Sequence, residues 1–191
     1  IRMGSKVEKP LTLQHHKVID YAIKYRNDFM DVYLVSKCKY FLGTSAGICD
    51  LATVMDKPRI SVNYTPIGVA LFGKDCLYIP KKLKNEKTGM YIPLSAVLKN
   101  NWDKNWVDND WLNQHCYEYE DNTPEEILEA TIEMHKRTNG HFKMNSEEND
   151  LIKKYFDLFH PDNLSYNSQT PVGLDFLKKN PDVFWGEENL N

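Results

Sequence analysis

Five small residues, Gly43-Thr44-Ser45-Ala46-Gly47, stand between an apolar run and a helical pattern in the stretch from Tyr40 to Asn63. Residues of those types at that spacing suit anion binding. Glycine lets the backbone turn sharply and approach a ligand with no Cβ in the way. A helix opening directly after the turn offers free N–H groups and the positive end of its dipole, where a phosphate or pyrophosphate is stabilised. Thr44 or Ser45 is placed to cap that helix or to meet the phosphate. The same corner also occurs in α/β proteins that bind nothing there. The chain has neither the Gly-Lys-Ser/Thr of a P-loop nor a G-x-G-x-x-G fingerprint.

Other candidates surround this corner. Arg2 and Lys6 flank Gly4 at an expected strand end, a place where cations face a diphosphate, although either also reads as a solvated surface charge. Asp50 lies about one turn into the helix and complements its dipole rather than serving as a base. Asn63 either bonds a ligand or caps its strand. His15-His16 falls in an early polar loop, and His115, His135, His141 and His160 are scattered without metal-ligand spacing. No nucleophile elbow and no Ser/His/Asp order is legible. Cys38, Cys49, Cys76 and Cys116 form no C-x-x-C pair, and the first two read as small buried hydrophobes. Neither a metal nor a cofactor is expected.

The elements that must hold these residues alternate. Tyr40–Leu42 reads as a strand. Ile48, Leu51, Ala52 and Met55 give the next helix one buried face, Pro58 stops it, and Arg59–Val62 is the following strand. Upstream, Ile1–Met3 reads as a strand end, Leu11–His16 as a helical turn and Val18–Ala22 as a second strand. A helix from Phe29 to Cys38 follows, capped by Asn27-Asp28, with Met30, Tyr33 and Leu34 on one face. Such alternation predicts a parallel sheet with helices on both faces, and ligands beyond the carboxyl ends of its strands. Gly4, Gly43 and Asn63 all fall at those ends.

Downstream, Leu77–Pro80 reads as a strand, Lys81–Lys87 as a solvated loop and Pro93–Asn100 as a short helix. Asn101–Asp110 reads as an irregular segment and Trp111–His115 as helical. Thr123, Pro124 and Glu126 open a strong helix with Ile127, Leu128, Thr131 and Ile132 as its buried face, ended by Asn139-Gly140. A second amphipathic helix spans Ser146–Phe159. The expected organisation is an α/β domain over residues 1–140 and a helical and irregular extension over 141–191, its last part a tail that packs over something.

At 191 residues with 41% hydrophobic content, the chain can bury a real core. A net charge of −3 with interspersed signs gives no basic stripe, so no nucleic-acid partner is expected. No run approaches the roughly 18 apolar residues of a membrane span. A cytoplasmic protein is the expectation. The abrupt start at Ile1-Arg-Met-Gly4 reads as the C-terminal part of a longer protein.

Several blocks carry a family likeness: Asp31-Val-Tyr-Leu34, Cys38 to Gly47, Lys57-Pro58, Val62-Asn-Tyr-Thr-Pro66, and Asn122-Thr-Pro-Glu-Glu-Ile127 with Glu133-Met134. Together they resemble the C-terminal half of bacterial glycosyltransferases of surface-carbohydrate (surface polysaccharide) biosynthesis. More distantly, Asp31–Pro66 resembles the donor-binding domain of heptosyltransferases and fucosyltransferase-like enzymes of the GT-B fold. The likeness covers Ile1 to about Lys136. It implies a Rossmann-like domain binding a nucleotide-sugar donor, with the diphosphate on the helix after Gly43–Gly47 and the base and ribose near Gly4. It implies a glycan or lipid-linked acceptor, an N-terminal domain carrying the base and most acceptor contacts, and no metal requirement. It leaves room for peripheral association with the inner face of the membrane. Thr44 replaces the acidic residue of the heptosyltransferase motif, so that residue's contacts do not carry over. Asp108-Asn-Asp110 resembles a D-x-D motif but sits in the irregular segment. Two other functions suit the same residues: a nucleotide-sugar epimerase of this fold, and a non-catalytic module whose aromatic tail docks a partner.

Overall fold

The computed structural model describes residues 1–69, 73, 75–104 and 109–186. Three parallel strands, β1 (Phe41–Gly43), β2 (Arg59–Tyr64) and β3 (Cys76–Pro80), form the sheet in that spatial order. Phe41 pairs with Arg59 and Gly43 with Ser61, and Ile60 pairs with Leu77. Ile60, Leu77 and Ile79 are fully buried. Such runs of buried β-branched and apolar residues are what a parallel sheet covered by helices demands. Helix α3 (Gly47–Val54) joins β1 to β2. The architecture is therefore α/β, with a parallel sheet flanked by helices and compatible with a Rossmann-like fold.

The first residues differ from expectation. Ile1–Met3 and Val18–Ala22 reduce to a single parallel bridge between Arg2 and Asp20, and residues 11–16 are irregular, with a bend at Thr12 and a turn starting at His16, rather than a helical turn. The chain turns straight into α1 (Tyr21–Lys24), because the Tyr21 hydroxyl reaches forward to the Asn27 carbonyl and to Asp31. Helix α2 (Asp28–Lys37) is capped by Asn27, whose side chain accepts from the Met30 N–H. Its one buried residue is Val35; Met30 and Leu34 are half-buried, and Tyr33 is exposed.

After β3 the charged run expected as a loop is a strand. β4 (Lys82–Asn85) pairs antiparallel with β5 (Tyr117–Glu120). Lys82 is buried, yet its ammonium lies 3.0 Å from Glu126 and 3.3 Å from Glu120, so the charge is met inside. Between these strands lie α4 (Leu94–Lys99), a 3₁₀ turn at Trp102–Lys104 and α5 (Asn109–His115). Asp108 of the Asp108-Asn-Asp110 look-alike lies outside the described residues.

Helix α6 (Pro124–Thr138) begins at a complete capping box: Thr123 accepts from the Glu126 N–H, and Glu126 accepts from the Thr123 N–H. It buries Glu126, Ala130, Glu133 and Met134, whereas Leu128 (58% exposed) and Ile132 face outward. The two carboxylates are drawn in by specific partners. Glu133 takes the Leu174 N–H and the Arg137 guanidinium, and Glu126 takes Lys82. Helix α7 (Ser146–Phe156) ends three residues earlier than its apolar pattern suggests. Its Tyr155 hydroxyl is hydrogen-bonded to that of Tyr78 in β3, and both rings are buried.

The tail is core. Val172 bridges to Tyr78 on the outer edge of β3, and α8 (Leu174–Lys179) and α9 (Pro181–Phe184) bury Phe176, Leu177, Val183 and Phe184 in one cluster with Ile60, Leu77 and Met134. A second, smaller cluster of Val35, Phe41, Cys49 and Ala52 joins α2, β1 and α3, with Met3 packed against it. No helix among the described residues is long and apolar enough to cross a membrane.

Candidate functional site

The corner expected at Gly43–Gly47 is a tight turn leading into α3. Ala46, in extended conformation, takes the N-cap position, and no side chain caps the helix. Thr44 and Ser45 are thus exposed turn residues and not caps. Helices α2, α6 and α7 each have a side-chain cap, from Asn27, Thr123 and Asn145. The first amides of α3 have no such cap, and the Cys49 N–H donates to the Ala46 carbonyl at 2.8 Å.

The two glycines have separate reasons. Neither adopts a positive φ. A Cβ on Gly43 would lie 2.8 Å from the Cys49 Sγ and 2.9 Å from the Phe41 ring, so the position has no room for one. The Cys49 thiol donates to the Thr44 carbonyl at 2.7 Å, and burial pushes its pKa up. A Cβ on Gly47 would meet nothing within 4 Å, so open space stands before the helix. Gly4 does need its freedom, with φ at +138°.

A cavity of about 770 Å³ runs along the edge of β1. Ile1–Gly4 form one bank and Tyr40–Thr44 the other; Ala46, Ile48 and Cys49 line its upper end, beyond the strand's carboxyl terminus. Arg2, Gly4, Gly43, Thr44 and Ala46 thus meet at one cavity. Ser45 and Gly47 adjoin it in sequence without lining it, and Asn63 lies elsewhere. β1 is an edge strand of the sheet, and the Arg2–Asp20 bridge lies outside that sheet, across the cavity. Open α/β sheets bind ligands in crevices beyond the carboxyl ends of their strands.

Arg2 reaches this cavity with its charge largely committed. Its guanidinium makes two 2.8 Å bonds to the Asp20 carboxylate and one of 2.9 Å to the Lys9 carbonyl. The Leu11 N–H and then this arginine hold the Asp20 carboxyl below its ordinary pKa. Asn63 serves structure: its N–H donates to the Asn122 Oδ1 and its Oδ1 accepts from the Asn122 N–H, both at 2.6 Å. That reciprocal pair secures the left-handed turn at φ +48°. Lys6 and the His15–His16 pair are exposed and do not line the cavity.

Two contributors escape sequence reasoning. Lys37, on the last turn of α2, lines the cavity, and nothing in its sequence setting singles it out. Arg59, 4% exposed at the start of β2, sends Nη1 up to the Cys49 carbonyl at 2.9 Å and to Asp50 at 3.4 Å, while its buried Nε lacks a partner. It places a buried positive charge beneath the first turns of α3; Asp50 itself is 81% exposed. An arginine opening an apolar strand was the available signal. Among the described residues no group of His, Cys, Asp and Glu is arranged to hold a metal ion.

Comparison with protein-family models, with curated proteins and with solved structures finds no match to this chain.

Proposed function

We propose that this chain is the donor-binding domain of a GT-B glycosyltransferase, which transfers a sugar from a nucleotide sugar to a cell-surface glycan or a lipid-linked acceptor. The observation that carries the reading is the cavity beyond the carboxyl end of β1, lined by Gly4, Gly43, Thr44 and Ala46, with no side chain capping the first turn of α3. In this reading the diphosphate of the donor rests on the α3 amides. Their dipole, and the buried Arg59 below, oppose the negative charge that grows on the leaving nucleoside diphosphate. The base and ribose extend along the banks past Gly4. A second domain supplies the general base and most contacts to the acceptor. The family likeness of residues 31–66 supports the same assignment.

The test is thermal unfolding of the chain with UDP, GDP, ADP and CMP, and with Ser45→Asp and Gly47→Val variants. A ligand at about 100 times its dissociation constant adds about 2.7 kcal/mol of stability. One nucleoside diphosphate is expected to raise the melting temperature of the native chain and to leave both variants unmoved. Because nothing lies within 4 Å of a Cβ at Gly47, the valine fills ligand space while the fold stands. Equal stabilisation of native and variant chains would remove the diphosphate from this corner.

A further inference from the structure

Asn139-Gly140 is the one Asn-Gly pair in the sequence, and both residues are exposed at the end of α6. An asparagine in this setting can lose its amide, because a glycine has no Cβ to shield its backbone nitrogen from the side chain before it. The Gly140 nitrogen gives up its proton to base and attacks the Asn139 Cγ. The Cγ–Nδ2 bond breaks, ammonia leaves and a five-membered imide closes. Water then opens the ring at either carbonyl, giving aspartate or, with the backbone rerouted through the side chain, isoaspartate. Water enters and ammonia departs, with no change of oxidation state.

The fold engages both reacting groups. Gly140, at φ +71°, donates its N–H to the Arg137 carbonyl at 3.1 Å, and the His141 N–H reaches the Lys136 carbonyl at 2.8 Å. These are the two bonds of a Schellman cap. The Asn139 side chain turns back along the helix. Its Nδ2 donates to the His135 carbonyl at 2.7 Å, and its Oδ1 accepts from the ammonium of Lys39, two residues ahead of β1. With both ends of the amide tied toward the preceding turn, the Cγ is not free to swing onto the Gly140 nitrogen.

We propose that Asn139-Gly140 is the deamidation site of this chain and that Lys39 is its latch. The inference goes beyond the nucleotide-binding reading and does not depend on it. Without Lys39 the amide keeps only its bond to His135 and turns toward Gly140. Isoaspartate adds a methylene to the backbone inside the cap, so the modification loosens the end of α6.

The test follows Asn139 by peptide mass spectrometry during mildly alkaline incubation of the whole chain, folded and unfolded in urea. Deamidation is expected to be slower in the folded chain. Lys39→Met should speed it about tenfold in the folded chain, the effect of losing one hydrogen bond from a charged donor, and leave the rate in urea unchanged. Lys39→Arg retains a charged donor and should stay near the native rate. Lys39 is exposed, so unchanged thermal unfolding of both variants shows the fold intact. The proposal is overturned if Asn139 reacts as fast in the folded chain as in urea, or if folded Lys39→Met matches the native rate. It is also overturned if another asparagine of folded Lys39→Met deamidates faster than Asn139.

Discussion

Gly43 and Cys49 act as one unit at the corner. The thiol donates to the Thr44 carbonyl and fills the space where a Gly43 Cβ would stand. Gly43→Ala is therefore expected to destabilise the chain by about 1–3 kcal/mol through overpacking. Adding Cys49→Ala should return part of that loss, because the methyl then has a place to go. Urea unfolding of both single variants and the double reads the coupling. Strict additivity would mean that the glycine is there for another reason. The sequence showed a glycine-bounded turn at this spot but not why each glycine is needed, since the two answers depend on a sulfur and on empty space. Asn63 is similar: it read as a polar strand end, while the partner that fixes its role is Asn122, 59 residues further on.

Helix α6 shows how far an element can be read locally. Its start was legible because the capping box is written within four residues, from Thr123 to Glu126. Thr123→Ala should cost about 1 kcal/mol, and Thr123→Ser almost nothing, by chemical denaturation. An alanine variant as stable as the native chain would show that α6 is held by packing alone. Its buried face was legible only in part. Ile127 packs against the core as its period suggests, but Leu128 and Ile132 face outward, while the fold turns Glu126 and Glu133 inward to meet Lys82, Arg137 and the Leu174 N–H. Arg137 lies one turn on in the same helix, but Lys82 and the Leu174 N–H belong to other elements, so no window of sequence contains the whole reason. The same holds for β4, whose four residues look solvated until Lys82 finds its carboxylates.

Across the whole molecule, the central strands and α3, α6 and α7 were readable because periodicity and caps are local. The pairing of β4 with β5, and the descent of residues 172–184 into the core, rest on contacts between distant segments. Glu133 joins α6 to the start of α8, and its environment makes the join sensitive to pH. Burial raises its pKa above the ordinary 4.5, outweighing the nearby Arg137. A carboxyl raised in this way favours the fold when protonated. Its contribution is present below about pH 4.5 and is lost as the pH climbs through the raised value. The stability of the native chain relative to Glu133→Gln should thus fall as the pH climbs above 4.5 in urea titrations. A difference that stays flat or rises would assign the slope to other groups.

The two banks of the cavity are joined unequally. On one side lies a hydrogen-bonded sheet, and on the other the Arg2–Asp20 pair. Among the described residues no backbone hydrogen bond spans the gap between Ile1–Gly4 and Tyr40–Thr44; Met3 and helix α2 bridge it by side-chain packing. In mechanical terms this is a compliant joint beside a stiff plate. The gap can widen or narrow by sliding contacts without breaking a single rung of the ladder, so an occupant's own dimensions set the spacing of the banks.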